Sequence, residues 1–234
     1  MLFISPPFGN YINFDNCISI SGSFTLNQRN GLIYQIFKTL RYSFKENGWI
    51  NKIGLRNKGI DWALKNIPEK QIISVAIMNE CEIPILLKKI PDNRNIEINI
   101  SCPNVDKETL SSQLSQFIND KRKWCIIKIS PTSSNSDIDK YYNMGFRQFH
   151  CCNTIPVSKG GLSGSSLIPY TTNKIIYINE KYKDSEIIAG GGIRYYNDVL
   201  HYKSIGAKHF SISTLFFNPL LFCNFYYNYN KNKC

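Results

Sequence analysis

The sequence predicts an α/β protein of the (β/α)8, or TIM-barrel, class, with all 234 residues in one domain. Three observations lead there. Short apolar runs rich in β-branched residues recur eight times along the chain. Several, such as Ile72-Ile73-Ser74-Val75-Ala76-Ile77, are nearly continuous, as strands buried on both faces of a parallel sheet are. Between the later runs lie segments with helical spacing, which makes them βαβ units.

Taken in order, the expected strands are Cys17–Ile20, Leu32–Phe37, Gln71–Ile77, Ile96–Ile100, Cys125–Ile129, Gln148–Cys152, Glu186–Ala189 and His209–Ile212. Only about a dozen residues separate the first two, too few for a full crossover helix. The stretch from Lys38 to Arg56 has no clear period. Lys107–Asn119 places Leu110, Leu114 and Phe117 on one helical face. Ser136-Asp137 reads as the cap of a helix that runs to Met144 and stops at Gly145. Leu167–Lys181 and Asn197–Ser204 follow the same logic, the second ending at Gly206. The tail, residues 225–234, is low in complexity and is expected to fray.

Composition narrows the function classes. A hydrophobic fraction of 43% excludes a disordered chain. Every dense apolar stretch is broken well before the ~18 residues a bilayer crossing needs, so no membrane partner is expected. The start, Met1-Leu2-Phe3-Ile4-Ser5-Pro6-Pro7, lacks the basic and apolar regions of a signal peptide. Lys+Arg number 28 against 17 Asp+Glu, a net charge of +11. The charge is scattered, with Lys121-Arg122-Lys123 the densest cluster. The 26 Asn residues, with abundant Lys, Ile and Tyr, fit A+T-biased coding, so a nucleic-acid partner is not expected. The eight Cys form no C-x-x-C pair, Cys151 and Cys152 are adjacent, and the three His fall at unrelated spacings. No zinc or iron–sulfur site is readable, and the thiols read as free in a reducing, cytoplasmic compartment.

In a barrel of this class the chemistry sits where strands end and loops begin. After the fourth run come Ser101, Cys102, Pro103 and Asn104. Cys102 could act as acid, base or nucleophile, or be a small buried residue in a turn. In the fifth run, alternation turns Lys128 inward near the barrel top, where it needs an anionic partner unless it snorkels to solvent. After the sixth come Asn153-Thr154 and Lys159-Gly160-Gly161-Leu162-Ser163-Gly164. After the seventh comes Gly190-Gly191-Gly192, and after the eighth Ser213-Thr214. Glycine loops followed by helices suit a phosphate, and a site after strands 7 and 8 recurs in such barrels.

These residues resemble the dihydroorotate dehydrogenases. Glu97-Ile98-Asn99-Ile100-Ser101-Cys102-Pro103-Asn104-Val105 is close to that family's active-site signature, and Gly160–Gly164 to its glycine loop. Residues 187–193 resemble its flavin phosphate loop, residues 49–59 its substrate segment, and Ser21-Gly22-Ser23-Phe24 its turn beneath the flavin. The resemblance runs collinearly over about residues 16 to 219. It implies a flavin mononucleotide (FMN) enzyme of pyrimidine biosynthesis that oxidises dihydroorotate to orotate. Cys102 would be the base, as in the soluble class. Lys38, Asn51, Gly54, Leu55, Asn99, Asn104, Asn153 and Thr154 would meet the substrate. Ser21, Gly22, Lys38, Asn99, Lys128, Gly164, Gly191, Gly192, Ser213 and Thr214 would hold the cofactor.

The chain departs from the family pattern in its reduced first helix, in a shortened segment from Lys38 to Asn51 and in a shortened lid loop after Asn104. Ser213 also stands where Gly is usual. These departures leave open a non-catalytic FMN barrel that acts by binding. A tRNA-dihydrouridine synthase-like enzyme is a further alternative, since that family also places Cys-Pro after a strand. The expected partner is a dihydroorotate-like small molecule, with a homodimer left open. Electron exit through an iron–sulfur centre would need a second protein.

Overall fold

In the computed structural model, which describes residues 1–100 and 113–232, strands and helices alternate as a barrel requires. The strands are β1 (Leu2–Ile4), β2 (Cys17–Phe24), β3 (Arg41–Ser43), β4 (Gly48–Asn51), β5 (Ile72–Ala76), β6 (Ile96–Asn99), β7 (Cys125–Ile129), β8 (Gln148–Cys151), β9 (Ile155–Val157), β10 (Gly160–Gly164), β11 (Glu186–Gly190) and β12 (His209–Ile212). The α-helices are α1 (Leu32–Thr39), α2 (Ile60–Asn66), α3 (Ile83–Lys89), α4 (Asn135–Asn143), α5 (Ile168–Lys181), α6 (Tyr196–Ser204) and α7 (Pro219–Lys231).

Eight strands close a parallel barrel in the order β1, β12, β11, β8, β7, β6, β5, β2. The remaining four form an antiparallel sheet, β3-β4-β10-β9. Because β9 and β10 follow β8, this sheet stands over the C-terminal ends of the barrel strands.

The barrel interior is layered by strand periodicity. Phe3, Ile20, Ile72, Trp124, Ile126 and Ile188 pack as an apolar plug, separate from the larger core between barrel and helices. Side chains two positions apart share a strand face. Two positions beyond Phe3, Ile72, Ile126 and Ile188 come Ser5, Ser74, Lys128 and Gly190. The layer above the plug is therefore polar, and it becomes the floor of the site.

The structure corrects several expectations. Leu32–Phe37 is not a strand but lies in α1, after Gly31 at φ +92°. Its Ile33, Tyr34 and Phe37 are exposed, so the run is apolar without being core. The eighth barrel strand is instead Leu2–Ile4, fully buried and paired with both β2 and β12. Three residues beside the chain start carry too little pattern to be read as a strand. The unperiodic stretch after Lys38 holds the β3–β4 hairpin, and the glycine segment Gly160–Gly164 is the strand β10 that pairs with β4.

Ser134, not Ser136, caps α4, with its hydroxyl accepting from Asp137 N and Asp137 accepting from Ser134 N. Residues 225–231, expected to fray, continue α7, because Phe225 and Tyr229 are buried against the barrel. Of the helix expected over Lys107–Asn119, the part described ends in a 3-10 turn at Ser115–Phe117. Among the described residues, no helix is long and apolar enough to cross a membrane.

Candidate active site

A cavity opens to solvent at the C-terminal end of the barrel. Its floor includes Lys128 and His150, and its walls include Asn153, Thr154, Gly164, Gly191, Gly192, Ser213 and Thr214. Of the sequence-predicted site residues, eight line this one cavity: Lys128, Asn153, Thr154, Gly164, Gly191, Gly192, Ser213 and Thr214.

A hydrogen-bonded chain crosses the barrel at the cavity floor. Asn153 Nδ2 donates to Asn99 Oδ1 at 3.1 Å, and Asn99 Nδ2 donates to Ser23 Oγ at 2.9 Å. Ser23 Oγ lies 2.8 Å from Ser74 Oγ, and Ser74 donates to Glu97 Oε1 at 2.8 Å. Glu97 is fully buried. Its Oε1 also faces Lys128 Nζ at 3.4 Å, and its Oε2 lies 2.5 Å from His150 Nδ1.

Burial is the largest influence on both titrating partners, and it favours their neutral forms. For Glu97 it is outweighed by Lys128, by His150 and by the hydrogen bonds from His150 and Ser74, so the carboxyl stays well below the usual carboxylate range. For His150 burial prevails, helped by Lys128 and opposed by Glu97, and the imidazole is pushed down. Glu97 is thus held as an anion, and because a carboxylate only accepts, the proton between it and His150 is assigned to Nδ1.

The glycines shape the wall. Gly191 and Gly192 adopt φ +89° and +88°, which side-chain-bearing residues rarely take. A Cβ on Gly192 would stand 2.5 Å from Ile168 Cγ1, and one on Gly191 3.0 Å from Leu167 Cβ. A Cβ on Gly164, at φ +138°, would stand 2.9 Å from Gly48 Cα. The three bare backbones line a recess near the start of α5, with Thr214 opening the 3-10 turn Thr214–Phe217 beside it. Such backbone accepts a phosphate closely.

Other predicted residues stand elsewhere. Lys38 is exposed on α1, its Nζ 3.3 Å from Tyr34 Oη, and is not part of the cavity lining. Asn51, at the end of β4, accepts weakly from Ile53 N at 3.5 Å. Gly54 and Leu55 follow it with positive φ, +69° and +54°. Ser21 is buried, bonded to Gly9 O and to Gln71 Oε1. Gly22 N donates to Asn10 Oδ1 at 2.7 Å. None of these six lines the cavity. Cys102 and Asn104 lie outside the described residues.

Sequence reasoning missed His150 in the floor, and Glu97, Ser23 and Ser74 in the hydrogen-bonded chain that supports it. An acid and an imidazole inside otherwise apolar strands were the available signals, because a buried charge demands a partner.

Similarity to known proteins fits this geometry. The family profile described as dihydroorotate dehydrogenase matches residues 9–224. A relative from Petrotoga mobilis, "Dihydroorotate dehydrogenase B (NAD(+)), catalytic subunit", is 28% identical over 240 residues, covering 83% of this chain and 75% of that protein. A protein of the same description from Brachyspira hyodysenteriae is 26% identical, covering 92% of this chain and 81% of its own length. The solved dihydroorotate dehydrogenase of Eimeria tenella, in complex with ferulenol, superposes with a TM-score of 0.70 at 17% identity, covering 95% of this chain and 78% of that one. That last likeness bears on the fold alone.

Proposed function

The chain belongs to the dihydroorotate dehydrogenase family of oxidoreductases, and from that premise we propose that it oxidises dihydroorotate to orotate with flavin mononucleotide as its cofactor. The observation that supports this reading is the single cavity into which Lys128, Asn153, Thr154 and the glycine recess converge.

The residues present fit that cofactor. The recess at Gly164, Gly191 and Gly192 has no room for side chains, and a phosphate would occupy it with Ser213 and Thr214. Lys128 at the floor would face the electron-rich end of the ring. Bound flavin mononucleotide supplies the acceptor for the hydride that leaves C6 of the substrate.

The chain's own groups would do the rest. Asn99 and Asn153, already held by one another, present amide donors and acceptors to a planar polar substrate without adding charge. Fixing that ring aligns its C5 and C6 for reaction. Cys102, three residues past the end of β6 in sequence, would take the C5 proton as thiolate base.

The test is spectroscopic. The purified protein is mixed with excess flavin mononucleotide, desalted, and treated anaerobically with dihydroorotate. Retained flavin absorbance that bleaches on substrate addition supports the reading. Cys102→Ala should keep the flavin and lose the bleaching. Protein that retains no flavin, or flavin that stays oxidised in the wild type, would overturn it.

A further inference from the structure

We propose that His150 is a positioning residue: by donating from Nδ1 to Glu97 it orients the carboxylate that holds Lys128 at the cavity floor. The inference deepens the proposed function, and it rests on that reading only for what Lys128 faces.

The geometry divides the two oxygens of Glu97. Oε1 accepts from Ser74 at 2.8 Å and faces Lys128 at 3.4 Å. Oε2 meets His150 Nδ1, its one hydrogen-bond partner among the described residues. A carboxylate buried in a barrel needs donors on both oxygens. Without the imidazole, Oε2 would be left unpaired, and the group would turn until Ser74 or Lys128 served both atoms. Lys128 would then leave its present place.

A second observation fixes the ring itself. A Cβ on Gly190 would stand 2.5 Å from His150 Nε2 and 3.0 Å from its Cδ2. The bare backbone of β11 therefore makes room for the imidazole, which lies over it with its side chain 2% exposed. Gly190 needs no left-handed backbone, so space for His150 accounts for the glycine here.

The surroundings define its charge state. Among the described residues, Glu97 from β6 and Lys128 from β7 are the charged groups that face the imidazole, while β11 presents Gly190 and β12 presents Ser211. With His150 neutral, the three groups sum to zero and Nδ1 carries the donated proton. The cavity floor then offers one cation, already paired, to whatever lies above it.

Two measurements decide the proposal. In flavin-free wild type labelled with ¹⁵N-histidine, NMR should show the His150 proton on Nδ1 at neutral pH, with the ring titrating below the ordinary imidazole range. In Glu97→Gln its Nδ1 proton should move upfield. An imidazole that titrates near 6.5, or that carries its proton on Nε2, would overturn the inference. In the second, flavin mononucleotide affinity is read by fluorescence quenching for two variants. His150→Phe keeps a ring and drops the donor, whereas His150→Asn restores a donor at the Nδ1 position. The dissociation constant should rise roughly tenfold in the first, the size of one charge-assisted hydrogen bond, and stay within about threefold in the second. Equal losses that track the melting temperatures, or no loss in His150→Phe, would overturn it. If the wild type takes up no flavin mononucleotide, the proposed function fails, and the NMR result alone decides the role of His150.

Discussion

Lys128 Nζ stands 3.4 Å from Glu97 Oε1 inside the barrel, with side chains 9% and 0% exposed. Glu97 is cut off from bulk water and Lys128 meets solvent only through the cavity, so each charge depends in large part on the other. Removing one partner therefore costs more than the pair is worth. Lys128→Met should destabilise the fold by about 3 kcal/mol, measured by urea unfolding. His150 would then be the nearest group able to supply a positive charge to Glu97. The double variant Lys128→Met with Glu97→Gln should recover much of the loss, because it removes both buried charges and keeps an amide oxygen to accept from Ser74 or His150. An additive double variant would show that the two side chains do not act as a pair.

Gly192 shows how tightly the recess is built. At φ +88°, any Cβ is strained, and here it would also meet Ile168 Cγ1 at 2.5 Å. Gly192→Ala should cost about 1–2 kcal/mol from the backbone alone. If the recess holds a phosphate, the same change should weaken flavin mononucleotide binding far more than Gly31→Ala does. Gly31 also has positive φ, +92°, but its Cβ would meet nothing within 4 Å. Equal effects of the two variants on flavin binding would remove the recess from the cofactor site.

Much of this was legible in the sequence, for identifiable reasons. Seven of the eight barrel strands announce themselves because they are buried on both faces and so have no polar alternation to obscure them. The eighth, Leu2–Ile4, is too short to show a period, while Leu32–Phe37 imitates a strand in composition and folds as a surface helix. Glycines and hydroxyl residues after β11 and β12 were readable because a loop at a strand's C-terminal end is where backbone comes close to a ligand. The floor was not. Whether Glu97, Lys128 and His150 meet depends on the register of β6, β7 and β8, where Asn99 pairs with Lys128 and Lys128 with His150. Pairing between strands far apart in sequence leaves no local mark. The position of Lys38 was unreadable for a related reason: its neighbours form α1 and the β3–β4 hairpin, and Lys38 stands exposed on α1, away from the cavity lining.

Asn99 carries both ends of a relay, accepting from Asn153 and donating to Ser23. Asn99→Ala removes the acceptor that orients Asn153 and leaves that half-buried amide without it. The kcat/KM for dihydroorotate should fall roughly 10- to 100-fold, since one displaced positioning group costs that much. Asn153→Ala should fall by a similar amount, and the double variant by much less than the product of the two. Independent, multiplicative losses would mean that the two amides touch the substrate separately and not as a unit.

His209 gives the fold a pH dependence with a definite sign. It sits at the end of the barrel opposite the cavity, among Phe3 and Trp124, with Met1 N 3.2 Å from its Nδ1. Burial is the main cause that lowers its pKa from 6.5 to about 4, helped by the positive charges of the amino terminus and Lys208 and opposed by Glu186. In the unfolded chain the imidazole takes a proton near 6.5, while in the fold it resists until about 4. Between those values the unfolded state binds more protons, so stability must rise with pH. The contribution is complete above the unfolded pKa and is lost as pH falls from about 6.5 toward 4. Melting temperatures recorded across this window should drop on the acid side, and the drop should shrink in His209→Gln, which cannot charge. The carboxylates also lose stability in acid, but mainly below pH 5, so the interval from pH 6.5 to 5 is where the His209 contribution is read most cleanly. A wild type and variant whose curves run parallel through that interval would show that His209 titrates alike in both states.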